Sequence, residues 1–263
     1  MEYLNLIGAD QLTSELIDYF QEKIDNPENI TGIPTGIDQL DQLTDGLQPG
    51  ELILITGVDD CHLDDVACAI ARHVSINEEL PVAIFSSKRK AVQTLLGMAS
   101  AMAQIKKENL RAGLIPLDKK SDLNQALQKL QNASLYIDDS AKLEINKMRN
   151  NLRNLKRQRG FLGLVVVDGV GITKRIALTH EINAKMEPHE SLQFLKNLAL
   201  ELCTPVIVLA NLNANLHPHF NQEKFDSSDL IVELSQSKKT EQIQASILKN
   251  RNGPTKKLDL LLT

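Results

Sequence analysis

Short apolar runs alternating with helical patterns limit what this chain can fold into more than any other feature. Leu52–Thr56, a helical pattern near 64–76, Val82–Phe85 and a helical pattern near 90–104 follow one another, and Leu135–Ile137, Leu164–Val167, Val206–Leu209 and Ile243–Leu248 continue the series of candidate strands. Strands alternating with helices argue for an α/β fold built on a mostly parallel sheet with helices on both faces. With 42% of its 263 residues hydrophobic and 24% charged, the chain can bury a sizeable core, enough for one large domain and a small appendage. No stretch approaches the roughly 18 to 20 apolar residues of a membrane helix, and Met1-Glu2-Tyr3 opens no signal-peptide pattern. A cytoplasmic location without a membrane partner is therefore expected. Cys61, Cys68 and Cys203 lack metal-ligand spacing and read as reduced, packed thiols. A net charge of −5 attracts no nucleic acid as a whole, so any such contact must come from a local basic face.

One such face lies in 142–159, where Lys147, Arg149, Arg153, Lys156, Arg157 and Arg159 alternate with Leu143, Ile145, Met148, Leu152 and Leu155 in an amphipathic helical pattern. Its alternative reading is a solvated outer helix. Over residues 10–25, Leu12, Leu16, Phe20 and Ile24 recur at spacing four, with Asp10 or Thr13 as candidate N-caps. This stripe predicts an interface helix that lies either on its own domain or against a neighbouring molecule. Asn26-Pro27-Glu28-Asn29 ends it, and a glycine- and proline-rich stretch leads to the first buried strand, placing a boundary near residue 30. The stretch 212–228 reads as an irregular exposed loop whose His217 and His219 are solvated.

"GVDDCHLDDVACAIA" at 57–71 follows the first strand, where a phosphate-binding loop is expected, yet it holds no lysine and only one glycine. The sequence around it is informative. "TGIPTGIDQLDQLTDGLQPGELILITG" at 31–57 resembles the opening of the RecA-like motor domain of DnaB-type replicative helicases. "VAIFSSKRKAVQTLLGMASAMAQIKKENLRAG" (82–113) is similar to that family's second block, and "LYIDDSAKLEINKMRNNLRNLKRQRGFLGLVVVDGVGI" (135–172) to its Walker B region. "PVIVLANLN" (205–213) resembles its sensor strand and "KNRNGPT" (249–255) its finger strand. The resemblance spans roughly 10–263 and leaves no segment for the family's amino-terminal domain. It implies a linker-type helix over 1–30 and a core of the RecA-like P-loop NTPase fold over 31–263.

Carried over by position, the resemblance implies losses. Leu63 stands where the family has the phosphate-binding lysine, and Asp64 where it has the magnesium-binding hydroxyl. Asp59, Asp60 and Asp65 add further anions. Two unit charges about 4 Å apart interact by roughly 1 kcal/mol in water and about four times that near a protein surface, so a triphosphate is repelled here. The carboxylates also suit the capping of a helix N-terminus, a divalent cation site of Asp59, Asp60, Asp64 and Asp65, or an unconventional nucleotide site. Lys88 occupies the place of the glutamate that polarises the attacking water, and a protonated ammonium cannot act as that base. Asp168 keeps the Walker B position, Asn211 shortens the sensor glutamine, and Lys249 and Arg251 match the basic pair that the family inserts into a neighbour's site. Ala214 stands where an arginine is usual in the DNA-facing region.

The leading expectation is a helicase-family protein without ATP hydrolysis. It would bind no cofactor and act through protein interaction in replication or recombination, with a second copy or a replicative helicase as partner. One alternative is an active ATPase or helicase using ATP and Mg2+ through an altered loop. The other is a nucleotide-independent module that binds DNA weakly through Arg153, Lys156 and Arg157.

Overall fold

The computed structural model describes residues 8–26, 29–57, 62–168, 176–177, 185–186, 188–211, 225–236 and 243–260. The first strand, β1 (Leu52–Gly57), is buried along its whole length, so both of its faces need cover. Side chains alternate between those faces. Leu52 and Leu54 enter one cluster with Met148, Leu152, Leu195 and Leu198, whereas Ile53 and Ile55 enter the other with Val66, Ile70, Val74 and Met98.

The helices that provide this cover follow in chain order. A terminal helix α1 (Ala9–Asp25) and a short α2 (Asp38–Thr44) precede β1. Then come α3 (Leu63–Ile76), β2 (Val82–Ser86), α4 (Ala91–Ala103), α5 (Lys107–Arg111), α6 (Lys120–Asn132) and β3 (Leu135–Asp138). Next are α7 (Ile145–Arg159), β4 (Leu164–Asp168), and β5 (Ile176–Ala177) paired with β6 (Lys185–Met186) as a separate antiparallel ribbon. The chain continues with α8 (Pro188–Leu202), β7 (Val206–Asn211), β8 (Leu230–Gln236), β9 (Ile243–Asn250) and β10 (Lys257–Leu260). The main sheet has the order β10-β9-β8-β1-β7-β4-β2-β3, parallel except for the β8–β9 and β9–β10 pairings.

Every strand expected from an apolar run is present. The helices α2, α5, α6 and α8, the strands β8 and β10 and the β5–β6 ribbon were not read from the sequence. Of the expected 212–228 loop, residues 212–224 lie outside the described residues, and β8 begins just beyond it. Gly36 takes φ +78°, and a Cβ there would lie 2.5 Å from the His73 ring of α3, so only glycine fits this approach. No helix among the described residues is long and apolar enough to cross a membrane.

The stripe of α1 has no cover among the described residues. Leu12, Leu16, Phe20 and Ile24 are 46%, 50%, 53% and 71% exposed. Lys23 ties the helix to the domain through the Asp45 carboxylate at 2.7 Å and the Asn29 carbonyl at 2.5 Å. Neither candidate N-cap acts as one. Gly8 occupies the cap position, and the Thr13 hydroxyl instead donates to the Ala9 carbonyl one turn back, 2.6 Å away.

Leu54→Ala removes a side chain with no exposed surface from the centre of the sheet. It is expected to lower stability by about 2–5 kcal/mol in urea unfolding with an unchanged slope, as cavity-forming substitutions do.

Candidate functional site

In an open parallel sheet, ligands bind outside the carboxyl ends of the strands, where strand ends and helix starts face one crevice. Here β1, β2, β4 and β7 end at that edge with Gly57 opposite Asn211, Ser86 opposite Asp168, and Asp168 opposite Leu209. The helix α3 starts at the same edge. Val58, Asp59, Asp60 and Cys61 lie outside the described residues.

Leu63 opens α3 and is 9% exposed, packed into the core cluster with Val66 and Ile70. An apolar side chain at this place is drawn inward, away from the crevice where a phosphate would need it. His62 precedes it with φ 54° and ψ 29°, a left-handed conformation that is uncommon for a non-glycine residue.

Asp168, at the end of β4, is 5% exposed. Its carboxylate accepts from Lys88 Nζ at 2.8 Å and from Ser86 Oγ at 3.0 Å, while Ser86 Oγ also accepts the Arg89 backbone N–H at 3.2 Å. The aspartates of α3 are paired in the same way. Asp64 meets the Arg89 guanidinium. Burial pushes the Asp64 carboxyl up, nearby Asp168 adds to this, and Arg89 and Lys88 oppose it. Asp65 accepts from Lys107 Nζ at 2.6 Å and contacts His62 Nδ1 at 2.9 Å. Burial pulls the Asp65 carboxyl upward, but Lys107 and His62 outweigh it and hold the group below its ordinary 3.8. Asp65 therefore stabilises the fold fully above that value, and the contribution is lost as the pH falls through the lowered one.

The capping expectation needs correction. The start of α3 has no side-chain cap; Asp64 and Asp65 complement the helix dipole from its first turn while their oxygens hold cations. Lys88, Asp168, Asp64 and Asp65 are thus brought together, with Asn211 at the neighbouring strand end, but within three acid–base pairs, Lys88–Asp168, Arg89–Asp64 and Lys107–Asp65. Arg89 and Lys107, which close two of them, carried no sequence signal. Among the described residues no three His, Cys, Asp or Glu side chains form a metal-holding group. Among the described residues, the Asp168 carboxylate is occupied by an ammonium and Leu63 is buried in the core, two features that do not suit magnesium-bound ATP.

Lys249 and Arg251 sit at the opposite edge. Asn250 pairs with Leu230 at the start of β8, which lies beside the amino end of β1. About 20 Å of strand separates them from the loop after β1. Arg251 NH1 lies 2.6 Å from Asp229 Oδ1, and the Lys249 ammonium donates to the Asp226 carbonyl at 3.1 Å. Asp229, 2% exposed, also accepts from Lys196 Nζ at 2.7 Å and from the Leu52 N–H at 2.8 Å. Sequence reasoning missed Asp229, since a lone aspartate before a strand has no pattern.

On α7, Arg149 donates to Glu201 of α8 at 2.9 and 2.5 Å, and Arg153 donates to the same carboxylate. Lys156 donates to the Leu202 carbonyl, and Arg157 is exposed. The aligned Arg149 and Arg153 charges are partly cancelled within the chain.

With this geometry in place, known proteins are informative. Residues 32–231 match the DnaB-like helicase C-terminal domain. The replicative DNA helicase DnaB of Geobacillus stearothermophilus is 31% identical over 248 residues, covering 86% of this chain and 53% of that protein. The replicative DNA helicase DnaC of Bacillus subtilis is 30% identical over 244 residues, with the same 86% and 53% coverage. The chain thus spans about half the length of these curated relatives. Among solved structures, an ATPase domain superposes with TM-score 0.80 at 19% identity, covering 94% of this chain and 93% of that one. A DnaB-like replicative helicase studied for its interactions with primase also gives TM-score 0.80, at 20% identity over 93% of this chain and 63% of that one. The fold is therefore RecA-like.

Lys88→Met keeps the stem and removes the charge, leaving Asp168 buried beside Ser86 alone. A loss of about 1.5–3 kcal/mol is expected from urea unfolding near neutral pH. Lys88→Met combined with Asp168→Asn should recover most of it, because the stranded charge is then gone.

Proposed function

The chain belongs to the DnaB-like helicase C-terminal domain family, and we propose that it works there without ATP, through contacts with a second copy or a replicative helicase. The observation that carries this reading is the Lys88–Asp168 pair at 2.8 Å. The carboxylate at the Walker B position and the ammonium standing in place of the family's water-activating glutamate are here each other's counterions. An active reading would require Lys88 and Arg89 to leave Asp168 and Asp64, and a triphosphate would then face Asp64 and Asp65 with no lysine at Leu63. Each of those changes opposes binding electrostatically.

Adding ATP with Mg2+ at millimolar concentration is expected to leave the thermal midpoint unchanged and to release no phosphate. A ligand at about 100 times its dissociation constant adds about 2.7 kcal/mol, so binding of that strength would be visible. An ATP-dependent rise in midpoint would reinstate the enzyme reading.

Contact with a partner is supported by α1. Its side chains Leu12, Leu16, Phe20 and Ile24 stay exposed, and a neighbouring molecule would relieve that. Helices α4 and α6, with the segment between α5 and α6, expose Val92, Leu95, Leu114, Leu117 and Leu127, apolar side chains that could receive the stripe of another copy. Such a contact joins two different surfaces, which closes into a ring if the rotation permits. In the same arrangement Arg251, held about 20 Å of strand from its own crevice, faces outward toward a neighbour. DNA enters this reading only as a weak, salt-sensitive ligand of α7 around Arg157, since Arg149 and Arg153 already hold Glu201. Replication contacts of this kind put the place of action in the cytoplasm.

Burial of an apolar side chain in such a contact contributes roughly 1.5–3 kcal/mol before ordering costs. Sedimentation at several concentrations, alone and with a replicative helicase, should therefore show association for the parent chain and its loss for Leu16→Asp with Phe20→Asp. Identical masses for both proteins and no mixed complex would leave α1 without a partner.

A further inference from the structure

Strand β3 closes one end of the main sheet, beside β2. Ala83 and Phe85 of β2 share a hydrophobic cluster with Met148 and Leu152 of α7, and in the parallel register they stand opposite Tyr136 and Asp138. Residues opposite one another in a sheet share a face, so the α7 side of β3 carries a phenol and a carboxylate. Leu135 and Ile137 pack on the other cluster. Between this polar face of β3 and α7 a cavity of ≈ 440 Å3 stays open. None of the six residues in the three acid–base pairs lines it, nor do Arg149, Arg153 and Glu201 of the α7–α8 contact.

Its floor is apolar, closed by Phe85 and Leu152, 4% and 1% exposed, with Leu155 beside them. The α7 rim is polar and uncharged, because Asn151, Asn154 and Gln158 fall at the i, i+3 and i+7 positions of one helix flank. Their carboxamides hold no partner among the described residues, so each offers both a donor and an acceptor. On the strand side, Asp138 Oδ1 accepts the Ser140 backbone N–H at 3.0 Å and the Ser140 hydroxyl, while Oδ2 has no donor among the described residues. Asp139 is engaged elsewhere, by the Ala91 N–H at 3.1 Å and Lys90 at 3.8 Å. Arg159 fixes the Tyr136 ring, donating to its hydroxyl at 2.6 Å with the guanidinium carbon 5.5 Å from the ring centre. No lysine or arginine lines the cavity itself.

An open carboxylate oxygen, a row of carboxamides and an apolar floor match a flat heterocycle whose exocyclic amino group adjoins ring nitrogens. A phosphate finds no cation here and would face Asp138 and Asp139. A wholly apolar ligand would strip water from Asp138 Oδ2 and the carboxamides without replacing its hydrogen bonds. We propose that this cavity binds an aminopurine, as free base or nucleoside, without phosphate. Its amino group donates to Asp138 Oδ2, its ring nitrogens accept from the α7 carboxamides, and its flat body lies beside Leu155 and Tyr136. This assignment goes beyond the protein-contact reading and does not depend on it.

The test uses the full chain and the fluorescent nucleoside 2-aminopurine riboside, whose anisotropy is expected to rise saturably with protein concentration. Adenosine should displace it. Purine riboside, which lacks the amino group, should compete about tenfold more weakly, and AMP and benzylamine should not compete at comparable concentration. Asn151→Ala with Asn154→Ala should weaken binding at least about tenfold, and alanine on an exposed helix flank favours the fold rather than threatening it. The side-chain amide resonances of Asn154 and Gln158 should shift on adding adenosine to the unaltered chain. Unchanged anisotropy, equal competition by purine riboside, AMP or benzylamine, resonances that stay in place, or full binding by the double variant overturns the assignment.

Discussion

A carboxylate at the end of a buried central strand has to be held by something other than bulk water. Asp168 is in that position, and Lys88 Nζ and Ser86 Oγ supply the two contacts its oxygens need. The rest of the edge follows from this demand. Drawing Lys88 onto β4 sets the turn between β2 and α4, which places Arg89 against Asp64 at the start of α3. Lys107, after α4, then meets Asp65 one residue further along. Three acid–base pairs tie β4, the β2–α4 turn and α3 into one arrangement. Loss of Lys88 would leave the buried Asp168 charge expensively unpaired, whereas the part-exposed Asp64 and Asp65 would be solvated in part.

The pairing also reverses the usual polarity of a phosphate crevice. Where such a crevice works, the helix that follows the first strand brings backbone N–H groups and a lysine, and acids sit on the neighbouring strands. Here the helix start brings Asp64 and Asp65, and the β2–α4 region brings the cations. Nothing of the fold has to change for this, because the sheet and both hydrophobic clusters are built from other residues. Cations and carboxylates of the chain itself balance one another where a nucleotide's phosphates would otherwise supply the negative charge. Under the function proposed above, the family scaffold is kept while the chemistry that usually accompanies it is withdrawn.

The two edges of the sheet have different fates as a result. At the carboxyl edge the described carboxylates Asp64, Asp65 and Asp168 are paired within the chain, whereas the amino edge presents Arg251 on the buried Asp229 with its outer part still exposed, Asp229 being fixed by Lys196 and the Leu52 N–H. Together with the exposed stripe of α1, this leaves the protein's interactive surfaces on its periphery.

Much of the architecture was legible from the residues in order. Runs such as Leu52–Thr56 and Leu164–Val167 are apolar at consecutive positions, and only a strand covered on both faces accommodates that pattern. The stripe Leu12, Leu16, Phe20 and Ile24 is likewise a one-dimensional signal with a fixed period, as is the apolar side of α7. Leu63 and Asp64 stand out in the sequence as departures from a phosphate loop because their chemistry is a property of the residue itself. What those charges do instead was not legible. Asp168 and Lys88 are 80 residues apart in sequence, and Asp65 and Lys107 are 42 apart. A pairing across that separation depends on strand order and helix placement, which no local pattern encodes. For the same reason Asp229 escaped notice.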